Sequence, residues 1–453
     1  MKRFSVCFLA VLLATGGSLC AVPDSVSWTV DYELRDSVDR TGSRYIRYDS
    51  VHPSVLTFVN DDGSVTVCAS DQAAKTTYVY EYSAGLVEQR AFSFGNVLDW
   101  LGAFTKDGEG NYYFFYGSRA ARKDTENMAM VKRSPEGEEL KVFRLKANTP
   151  RSMDGIRVPF DAGTCRLELS GSMLAVYFAR EMFSGHQASY GFVLDKDTFE
   201  RIDQGAVSNP VRGKDTQMPY VSHSFNQFIV PLEEGFLFAD HGDAYPRCFT
   251  FAKFQKGGNT KRLDAFKFPG AIGQNATYAE MGGVAKTSTG YIVAGTYGKA
   301  QNNPRNLFIL TFDEALNACT APLYLTKYSK EDGHAGHPKI AALEDGRYLL
   351  LWERYTFSTQ PANQIGRSTT GYLSTHMLII DGEGKALSDT AELPGVRLNM
   401  NDLPRYNRRN GKVYWAVNDR GTVAALDVND VNASPTLGTS IILYALDPGA
   451  ANP

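Results

Sequence analysis

The 453-residue sequence predicts an all-β protein assembled from repeated units. Aromatic residues make up 12% of the chain and glycine occurs 41 times, a composition that favours strands joined by tight turns. Short apolar runs recur between dipeptides such as Asp-Gly, Glu-Gly and Asn-Gly, which is typical of repeated hairpins. Helical periodicity is not sustained anywhere over a comparable length.

One hairpin signature occurs seven times along the chain. Each copy has an alternating run, a turn containing glycine and a second, more apolar run. The central glycines are Gly63, Gly110, Gly171, Gly235, Gly290, Gly346 and Gly411. Their mean step of about 58 residues leaves room for two further strands per unit. Four strands at this period predict a single β-propeller with seven four-stranded blades, with six or eight blades as alternatives.

The seventh unit can be completed from either end of the chain. The segments "TVAALDV" and "TSIILYAL" near the C-terminus can supply its outer strands. The segment "SWTVDYELRD" near the N-terminus can supply or extend one of them. Closure by a strand from the other terminus would remove an exposed sheet edge, so we expect the ends of the chain to meet.

Residues 1–21 are predicted to be a secretory signal peptide, and residues 22–453 the propeller. Lys2 and Arg3 precede the apolar segment 4–14, and Ala21 provides a cleavage point. Leu19 directly precedes Cys20, so we do not expect a lipid anchor there. We therefore expect export to the periplasm, cell surface or medium, with no later membrane span.

The net charge limits the classes of partner, and the cysteine spacing indicates the redox state. The net charge is −3 and no basic run occurs, so nucleic acid is not an expected partner. We expect a monomer. Beyond the signal peptide the cysteines are widely and irregularly spaced, so free thiols are favoured, with Cys165–Cys248 as the one disulfide to check. These cysteines are Cys68, Cys165, Cys248 and Cys319.

Strand alternation predicts that two sets of loops emerge on one side of the propeller, which we call the loop face. They are the loops between the second and third strands of each blade and the loops between consecutive blades. Five of the seven histidines map to these loops. They are His186, His223, His241, His334 and His337.

Arginine is also concentrated near the loops between second and third strands. Guanidinium groups match carboxylate or sulfate, and aromatic rings such as Tyr245, Trp352 and Tyr355 can stack on sugars. In the alternative, each arginine only braces a neighbouring blade. The arginines are Arg119, Arg122, Arg180, Arg247, Arg305, Arg354 and Arg420.

The stretch "SHSFNQFIVPLEEGFLFADHGDAYPRCFTF" at 222–251 is unusually rich in polar side chains. If the protein is an enzyme, we predict the catalytic residues His223, His241, Tyr245 and Arg247. The predicted ligand-binding residues are His186, Gln187, Asn226, Gln227, Asp240, Asp243, Arg180, Arg305, Trp352 and Arg354.

These polar residues also have structural interpretations. Asp240 and Asp243 can cap backbone amides in a tight loop, and Asn226 and Gln227 can satisfy buried backbone groups. The histidine spacing of "HAGH" suits a metal only if the segment adopts the right turn. The clustering of these residue types, rather than any one of them, favours a functional face.

The same histidines also support a second hypothesis, that they bind a metal ion. Zinc, manganese or calcium is the expected ion, with Asp240 or Asp243 as a carboxylate partner. Such an ion would neutralise a substrate carboxylate and make its α-proton easier to remove. The predicted ligands are His223, His241, His334 and His337.

The chain resembles secreted β-propeller repeat proteins in architecture, and some polysaccharide lyases are similar in outline, with histidines, arginines and a metal on one face. The sialidase box, the WD-repeat pairing, GxSxG and HExxH are all missing. Three functions follow in order of preference. The first is binding of an anionic glycan or another extracellular polymer, protein included. The second is a metal-assisted polysaccharide lyase or hydrolase, and the third a structural or adhesive scaffold.

Overall fold

The computed structural model describes residues 22–35, 55–148, 154–160, 163–202, 220–244, 247–256, 261–270, 279–300, 303–357, 371–398, 402–419 and 437–451. These residues form seven antiparallel four-stranded sheets and one 3-10 helix, Pro448–Ala451. The sheets are the blades of a β-propeller, which confirms the predicted fold and blade number. No helix in this part of the chain has the length and apolar character needed to cross a membrane. The predicted signal peptide and Cys20 lie outside it.

The first two blades are regular, and their strands follow the chain from the central channel outward. Blade 1 consists of β2 (Val55–Val59), β3 (Val65–Asp71), β4 (Thr76–Tyr82) and β5 (Glu88–Gly95). Blade 2 consists of β6 (Trp100–Lys106), β7 (Tyr112–Gly117), β8 (Glu126–Arg133) and β9 (Glu139–Lys146).

Blade 3 departs from this pattern at its inner edge. Its strands are β10 (Val158–Pro159), β11 (Cys165–Ser170), β12 (Met173–Glu181) and β13 (Gln187–Asp195). Both β10 and β11 pair with β12, one after the other, and β13 pairs with its other side. The innermost position is therefore shared by two short strands.

Blades 4 to 6 return to the regular order. Blade 4 consists of β14 (Ser224–Leu232), β15 (Gly235–Asp243), β16 (Arg247–Gln255) and β17 (Lys261–Lys267). Blade 5 consists of β18 (Glu280–Lys286), β19 (Gly290–Tyr297), β20 (Asn306–Asp313) and β21 (Leu323–Tyr324). Blade 6 consists of β22 (His334–Ala342), β23 (Arg347–Tyr355), β24 (Tyr372–Asp381) and β25 (Ala391–Leu393).

Blade 7 joins the two ends of the chain. It contains β26 (Arg405–Tyr406), β27 (Val413–Asp419) and β28 (Leu437–Leu446), and its outer strand is β1 (Asp24–Arg35). β1 runs antiparallel to β28, with Asp24 opposite Ala445. The expected contribution of the N-terminal segment is confirmed, whereas "TVAALDV" lies outside the described residues.

The seven predicted glycines all lie at the first hairpin of their blades. Gly63 has φ +86°, a conformation that side-chain-bearing residues rarely adopt. Gly235 instead starts β15, where a Cβ would lie 2.0 Å from the carbonyl oxygen of Phe254. Two different constraints thus select glycine at the same place in the repeat.

Residues of the middle strands are buried on both sides because each sheet packs between two others. In β7, Tyr113 and Phe115 pack with Phe178 of blade 3. Tyr112 and Phe114 pack on the opposite side with Cys68 of blade 1. This explains the nearly continuous apolar runs of the second strands.

The innermost strands of four blades carry a β-bulge near the loop face. It interrupts the pairing of β6, β14, β18 and β22 with their neighbours. A bulge bends its strand and turns the local side chains in a new direction. In β22 the bulge includes His337, which has φ +51°.

The four cysteines among the described residues are free thiols, so the Cys165–Cys248 disulfide does not form. Cys68, Cys165 and Cys248 are buried, and Cys319 is partly exposed. Burial raises the pKa of Cys165 far above its usual value and that of Cys248 to about 12, so these thiols stay protonated.

Candidate functional site

Polar side chains at the loop face gather in two places. The Asp240 cluster lies between blades 3 and 4 and consists of Thr164, Tyr177, Ser224, Gln227 and Asp240. The Glu353 cluster joins blades 5 and 6 to the loop before blade 7. It consists of Glu280, Arg305, His334, His337, Glu353, Tyr355, Tyr372 and Arg397.

The Asp240 carboxyl group is held by neutral donors. Tyr177 donates from its hydroxyl at 2.6 Å, Ser224 at 2.7 Å and the Gln227 amide at 3.3 Å. The Gln227 amide oxygen in turn accepts the backbone N–H of Thr164 at 2.8 Å, which joins the two blades. Asp240 is only 1% exposed, so this network is sealed from solvent.

Asp240 lacks a cationic partner among the described residues. Burial raises its pKa from 3.8 to about 7, although the hydrogen bonds from Tyr177, Ser224 and Gln227 act in the opposite direction. A sealed carboxyl group that is partly protonated near neutral pH fits an inter-blade brace better than a ligand contact.

The Glu353 carboxylate is fully buried and held by cationic as well as neutral donors. Its Oε1 accepts Arg397 Nε and the backbone N–H of Leu398, both at 2.9 Å. Its Oε2 lies 2.9 Å from His337 Nδ1 and accepts the Tyr355 hydroxyl. Both oxygens are therefore engaged.

Electrostatics keep Glu353 ionised. Burial alone would raise its pKa, but His337 and Arg397 together hold the pKa well below its usual range. Burial and the Glu353 charge raise the pKa of Tyr355 far above its usual value, so its hydroxyl stays protonated and donates to Glu353.

Arg397 is fixed along one edge and open along the other. Its guanidinium carbon lies 4.0 Å from the centre of the Tyr372 ring, while Nε is held by Glu353. Its backbone carbonyl accepts Trp415 Nε1 at 2.9 Å. Neither Nη atom hydrogen-bonds to a described residue, and the side chain is 34% exposed.

His337 is fixed in a similar way. Its backbone N–H donates to Glu280 Oε2 at 3.1 Å, and Glu280 also lies 3.6 Å from Arg305 Nη1. With Nδ1 against Glu353, its Nε2 hydrogen-bonds to no described residue. The side chain is 13% exposed, and Nε2 is its ring nitrogen without a described partner.

His334 is the remaining histidine of the Glu353 cluster, and its ring is neutral. It stacks on Tyr355 with ring centres 6.0 Å apart and meets Phe357 edge-on. Burial, Arg305 and His337 lower its pKa to about 2. Its imidazole therefore stays uncharged and can exchange hydrogen bonds with a neutral group.

The predicted catalytic residues of blade 4 do not form one constellation. His241 lies inside β15 rather than in the expected loop, fully buried and edge-on to Phe249 and Phe268 at 5.3 Å. Burial, then Arg247, lowers its pKa to about 3. Arg247 donates to Asp243 and lies over the Phe268 ring. Tyr245 lies outside the described residues.

The other predicted catalytic histidine, His223, lies beside His186. Its ring centre is 5.3 Å from that of His186, whose Nε2 lies 3.0 Å from the Ser222 hydroxyl. Burial and Arg180 lower the pKa of His186. Arg180 itself is fully buried, with Nη1 on the Gly155 carbonyl at 3.0 Å.

The predicted Gln187, Asn226 and Gln227 serve inter-strand contacts. Gln187 donates to the Ser224 carbonyl, and Asn226 donates to the Met281 carbonyl of blade 5 at 3.0 Å. These contacts agree with the structural interpretation of the amides. Trp352 is buried and stacks on His376, with ring centres 5.4 Å apart.

The four predicted metal ligands are divided between two blades. His223 and His241 belong to blade 4, and His334 and His337 to blade 6. Across the described ranges, no group of three or more His, Cys, Asp or Glu side chains has the arrangement of a metal site. The predicted zinc, manganese or calcium site is therefore not assembled by these residues.

Sequence reasoning left out Glu280, Glu353, Tyr372 and Arg397. A signal for Glu353 was present in "YLLLWERY", since Leu349, Leu351 and Glu353 share one side of β23. A glutamate on an otherwise apolar strand face needs a partner to stay buried. The need of a buried glutamate for a partner predicts a basic side chain close to Glu353, and the structure provides Arg397.

The central channel is crossed below this face. Arg405 Nη2 of blade 7 lies 2.9 Å from Glu168 Oε1 of blade 3, and these blades are not neighbours in the ring. Buried Arg166 and Asp402 lie in the same electrostatic network, and burial lowers the pKa of Arg166 to about 10. Charged side chains from blades 3 and 7 therefore meet across the channel.

No protein-family model and no curated protein matches this chain. Solved structures that match include a prolyl endopeptidase, with 10% identity, a TM-score of 0.42, and coverage of 80% of this chain and 44% of that chain. A luciferin-regenerating enzyme matches at 8% identity, a TM-score of 0.37 and coverage of 88% and 92%. An endo-arabinase from Bacteroides thetaiotaomicron matches at 14% identity, a TM-score of 0.36 and coverage of 74% and 96%.

The chain spans less than half the length of the prolyl endopeptidase it matches. At these identities and TM-scores the likeness concerns the propeller fold and carries no argument about activity.

Proposed function

We propose that the protein binds an acidic polysaccharide at the loop face, with Arg397 as the main contact for an anionic group. The observation that carries this proposal is the state of its guanidinium. Glu353 and Tyr372 fix its position, and both Nη atoms are left without a hydrogen-bond partner among the described residues.

The geometry suits an anion because the arginine is preorganised. Two parallel N–H donors match the two oxygens of a carboxylate or sulfate. Holding the guanidinium before binding reduces the conformational entropy lost when the ligand arrives. Arg305 and Arg397 each face a carboxylate, Glu280 and Glu353, so an anion would be held by the open N–H donors of Arg397 and not by an excess of positive charge.

The neighbouring groups suit a sugar. Neutral His334 and the outward edge of His337 offer hydrogen bonds to hydroxyl groups. The Glu168–Arg405 pair crosses the channel, which favours a chain lying over the loop face rather than passing through the ring. The signal peptide predicted at residues 1–21 would deliver the protein to compartments where such polymers occur.

The test is binding by isothermal titration to polygalacturonate, dextran sulfate and neutral dextran. The first two separate carboxylate from sulfate as the source of negative charge. R397M should weaken binding to the preferred acidic polymer about tenfold or more, as expected for loss of charge-assisted hydrogen bonds. Wild-type affinity should fall steeply with added salt.

R347M is the matched control, because Arg347 begins β23 at the end opposite the loop face. It should bind like the wild type. Equal affinity for neutral dextran, or an unchanged affinity of R397M, would contradict the proposal.

A second candidate is an enzyme that cleaves the same ligand by β-elimination, and His337 favours it. With the proton on Nδ1 facing Glu353, the lone pair lies on Nε2. Nε2 would remove the proton from the carbon next to a carboxylate held by Arg397. The electron pair would form a carbon–carbon double bond and expel the glycosidic oxygen, which takes a proton from water.

This reaction is detected by ultraviolet absorbance of the unsaturated product from polygalacturonate. H337Q should abolish the signal while binding persists, and H186Q should leave it intact. Binding without any unsaturated product would leave the protein as a carbohydrate-binding propeller.

A further inference from the structure

We infer that Arg354 forms a second anion-binding subsite between blades 5 and 6, so that the ligand carries at least two anionic groups. This inference rests on the proposed function and specifies its ligand as an oligosaccharide with repeated acidic units. It predicts a gain in affinity with chain length that depends on one side chain.

The two arginines lie on opposite sides of one strand. Glu353 and Arg397 lie on the side of β23 that packs toward blade 7, where Leu351 shares a core with Trp415. Trp352 and Arg354 lie on the other side by strand alternation. There Trp352 packs with residues of blade 5 and donates from Nε1 to the Tyr328 hydroxyl at 3.0 Å.

The Arg354 side chain forms no hydrogen bond or ion pair with any described residue. Its Nε is buried and has no acceptor, although the residue as a whole is partly exposed. A buried donor without an acceptor is costly, because it loses its hydrogen bonds to water without replacement. An anion reaching the exposed part of the guanidinium would accept from its Nη donors and supply the counter-charge that the described residues do not.

The neighbouring arginines differ from Arg354 in having a carboxylate partner. Arg305 faces Glu280 and Arg397 faces Glu353, so each has a carboxylate. The Arg354 charge affects the pKa of nearby groups, but no described carboxylate forms an ion pair with it. Burial and then Arg354 lower the pKa of His376 to about 4, so that ring stays neutral.

Asp332 is the acidic side chain on which the Arg354 charge acts, but it is engaged elsewhere. Its carboxylate accepts the backbone N–H of Ser329 at 2.9 Å, and that contact accounts for more of its lowered pKa than Arg354 does. No ion pair joins Asp332 to Arg354, so the guanidinium remains available to a ligand.

The end of β23 separates the two subsites. Tyr355 and the exposed Thr356 lie at this end, and Ala335 and Ser374 are the strand partners of Arg354. A ligand reaches both guanidinium groups only by passing over the strand end. One monosaccharide with one acidic group can occupy either subsite, whereas a chain of acidic sugars can occupy both.

The experiment measures affinity against chain length. Monomeric, dimeric and trimeric galacturonate are titrated into the wild type, R354M and the control R347M, with sulfated oligosaccharides of equal length as a second series. The wild type should gain about tenfold or more in affinity between the monomer and an oligomer that spans both subsites. R354M should bind the monomer normally and lose that gain, while R347M should keep it.

The outcomes separate the two proposals. If the wild type gains affinity with length and R354M gains equally, the second subsite is refuted and the proposed function stands. If the wild type binds none of the acidic sugars, the proposed function fails and the subsite with it. Should R354M fold poorly by thermal unfolding, R354K replaces it, because lysine keeps the charge and loses the fork, and it should lose most of the gain.

Discussion

Asp240 and Glu353 are two buried acids at the loop-face ends of equivalent strands, and their environments drive them in opposite directions. Each lies in the second strand of its blade, β15 or β23. Neutral donors surround Asp240, and its pKa rises to about 7. Cationic donors surround Glu353, and its pKa falls well below the usual range. The charge of the donors, not burial, decides whether the acid is ionised.

The two clusters also differ in how many of their polar groups have partners within the protein. The hydrogen bonds of the Asp240 cluster join blades 3 and 4, and the cluster contains no cationic side chain. The Glu353 cluster uses its carboxylate to orient Arg397 and His337 while leaving one edge of each without a described partner. A fixed charge with an open edge is what a binding site requires.

The largest expected effect is on folding stability after neutralising each acid. E353Q should lower the free energy of unfolding by about 3–5 kcal/mol at pH 7, because it removes the fully buried carboxylate that Arg397, His337 and Tyr355 contact and leaves the Arg397 guanidinium without its counter-charge. D240N should cost only about 1 kcal/mol at pH 6, since an amide resembles the protonated carboxyl group. Urea denaturation measures both, and equal losses would break the comparison.

The next effect is the pH dependence of stability that Asp240 contributes. Its folded-state pKa of about 7 exceeds the ordinary 3.8, so the folded protein binds this proton more tightly than the unfolded chain does. The contribution is complete below about pH 4 and is lost as pH rises through 7, by about 2–4 kcal/mol.

The measurement is the difference in unfolding free energy between wild type and D240N across pH 4 to 8. The difference is needed because buried His241, with its lowered pKa, titrates with the opposite sign over part of that range. A difference that stays constant with pH would mean that Asp240 is ionised throughout.

Glu353 should show the opposite slope. Its folded-state pKa is depressed, so its contribution is present above about pH 4.5 and is lost as pH falls below that value. The destabilisation caused by E353Q should therefore shrink by about 1–2 kcal/mol between pH 5 and pH 3. Denaturant titrations of both proteins at each pH provide the check, and a loss of stability that grows on acidification would contradict it.

The smallest expected effect concerns the two tyrosine donors. Y177F and Y355F each remove one hydroxyl that donates to a buried carboxyl group. Each should cost about 1–2 kcal/mol, but Y355F should cost more because its acceptor is fully charged. Thermal or urea unfolding decides the order, and a larger loss for Y177F would reverse the assignment of charge.

The fold was predictable because its signals are local and repeated. Turn glycines such as Gly63 and Gly411, together with alternating runs, determine hairpins without any long-range information. The period then determined the number of blades. The inner edge of blade 3 was not predictable, because Val158–Pro159 is too short to be recognised as a strand.

The site was predicted only in part, for reasons of packing. The sequence located His334, His337 and Arg305 near the loop face, and the structure places them in one cluster. Arg397 was not predicted. The arginine pattern covers the loops between second and third strands, whereas Arg397 lies in the loop that leads into blade 7. His241 was misplaced, although Leu237, Ala239 and His241 alternate on one buried side of β15.

The pairing of β1 with β28 has a consequence for biogenesis. Asp24 faces Ala445, so β1 finds its partner only after residues 437–446 have left the ribosome. Until then β1 offers an unsatisfied row of amides and carbonyls to other chains. Ring closure is therefore a late folding event, and premature termination before residue 437 would yield a product prone to self-association.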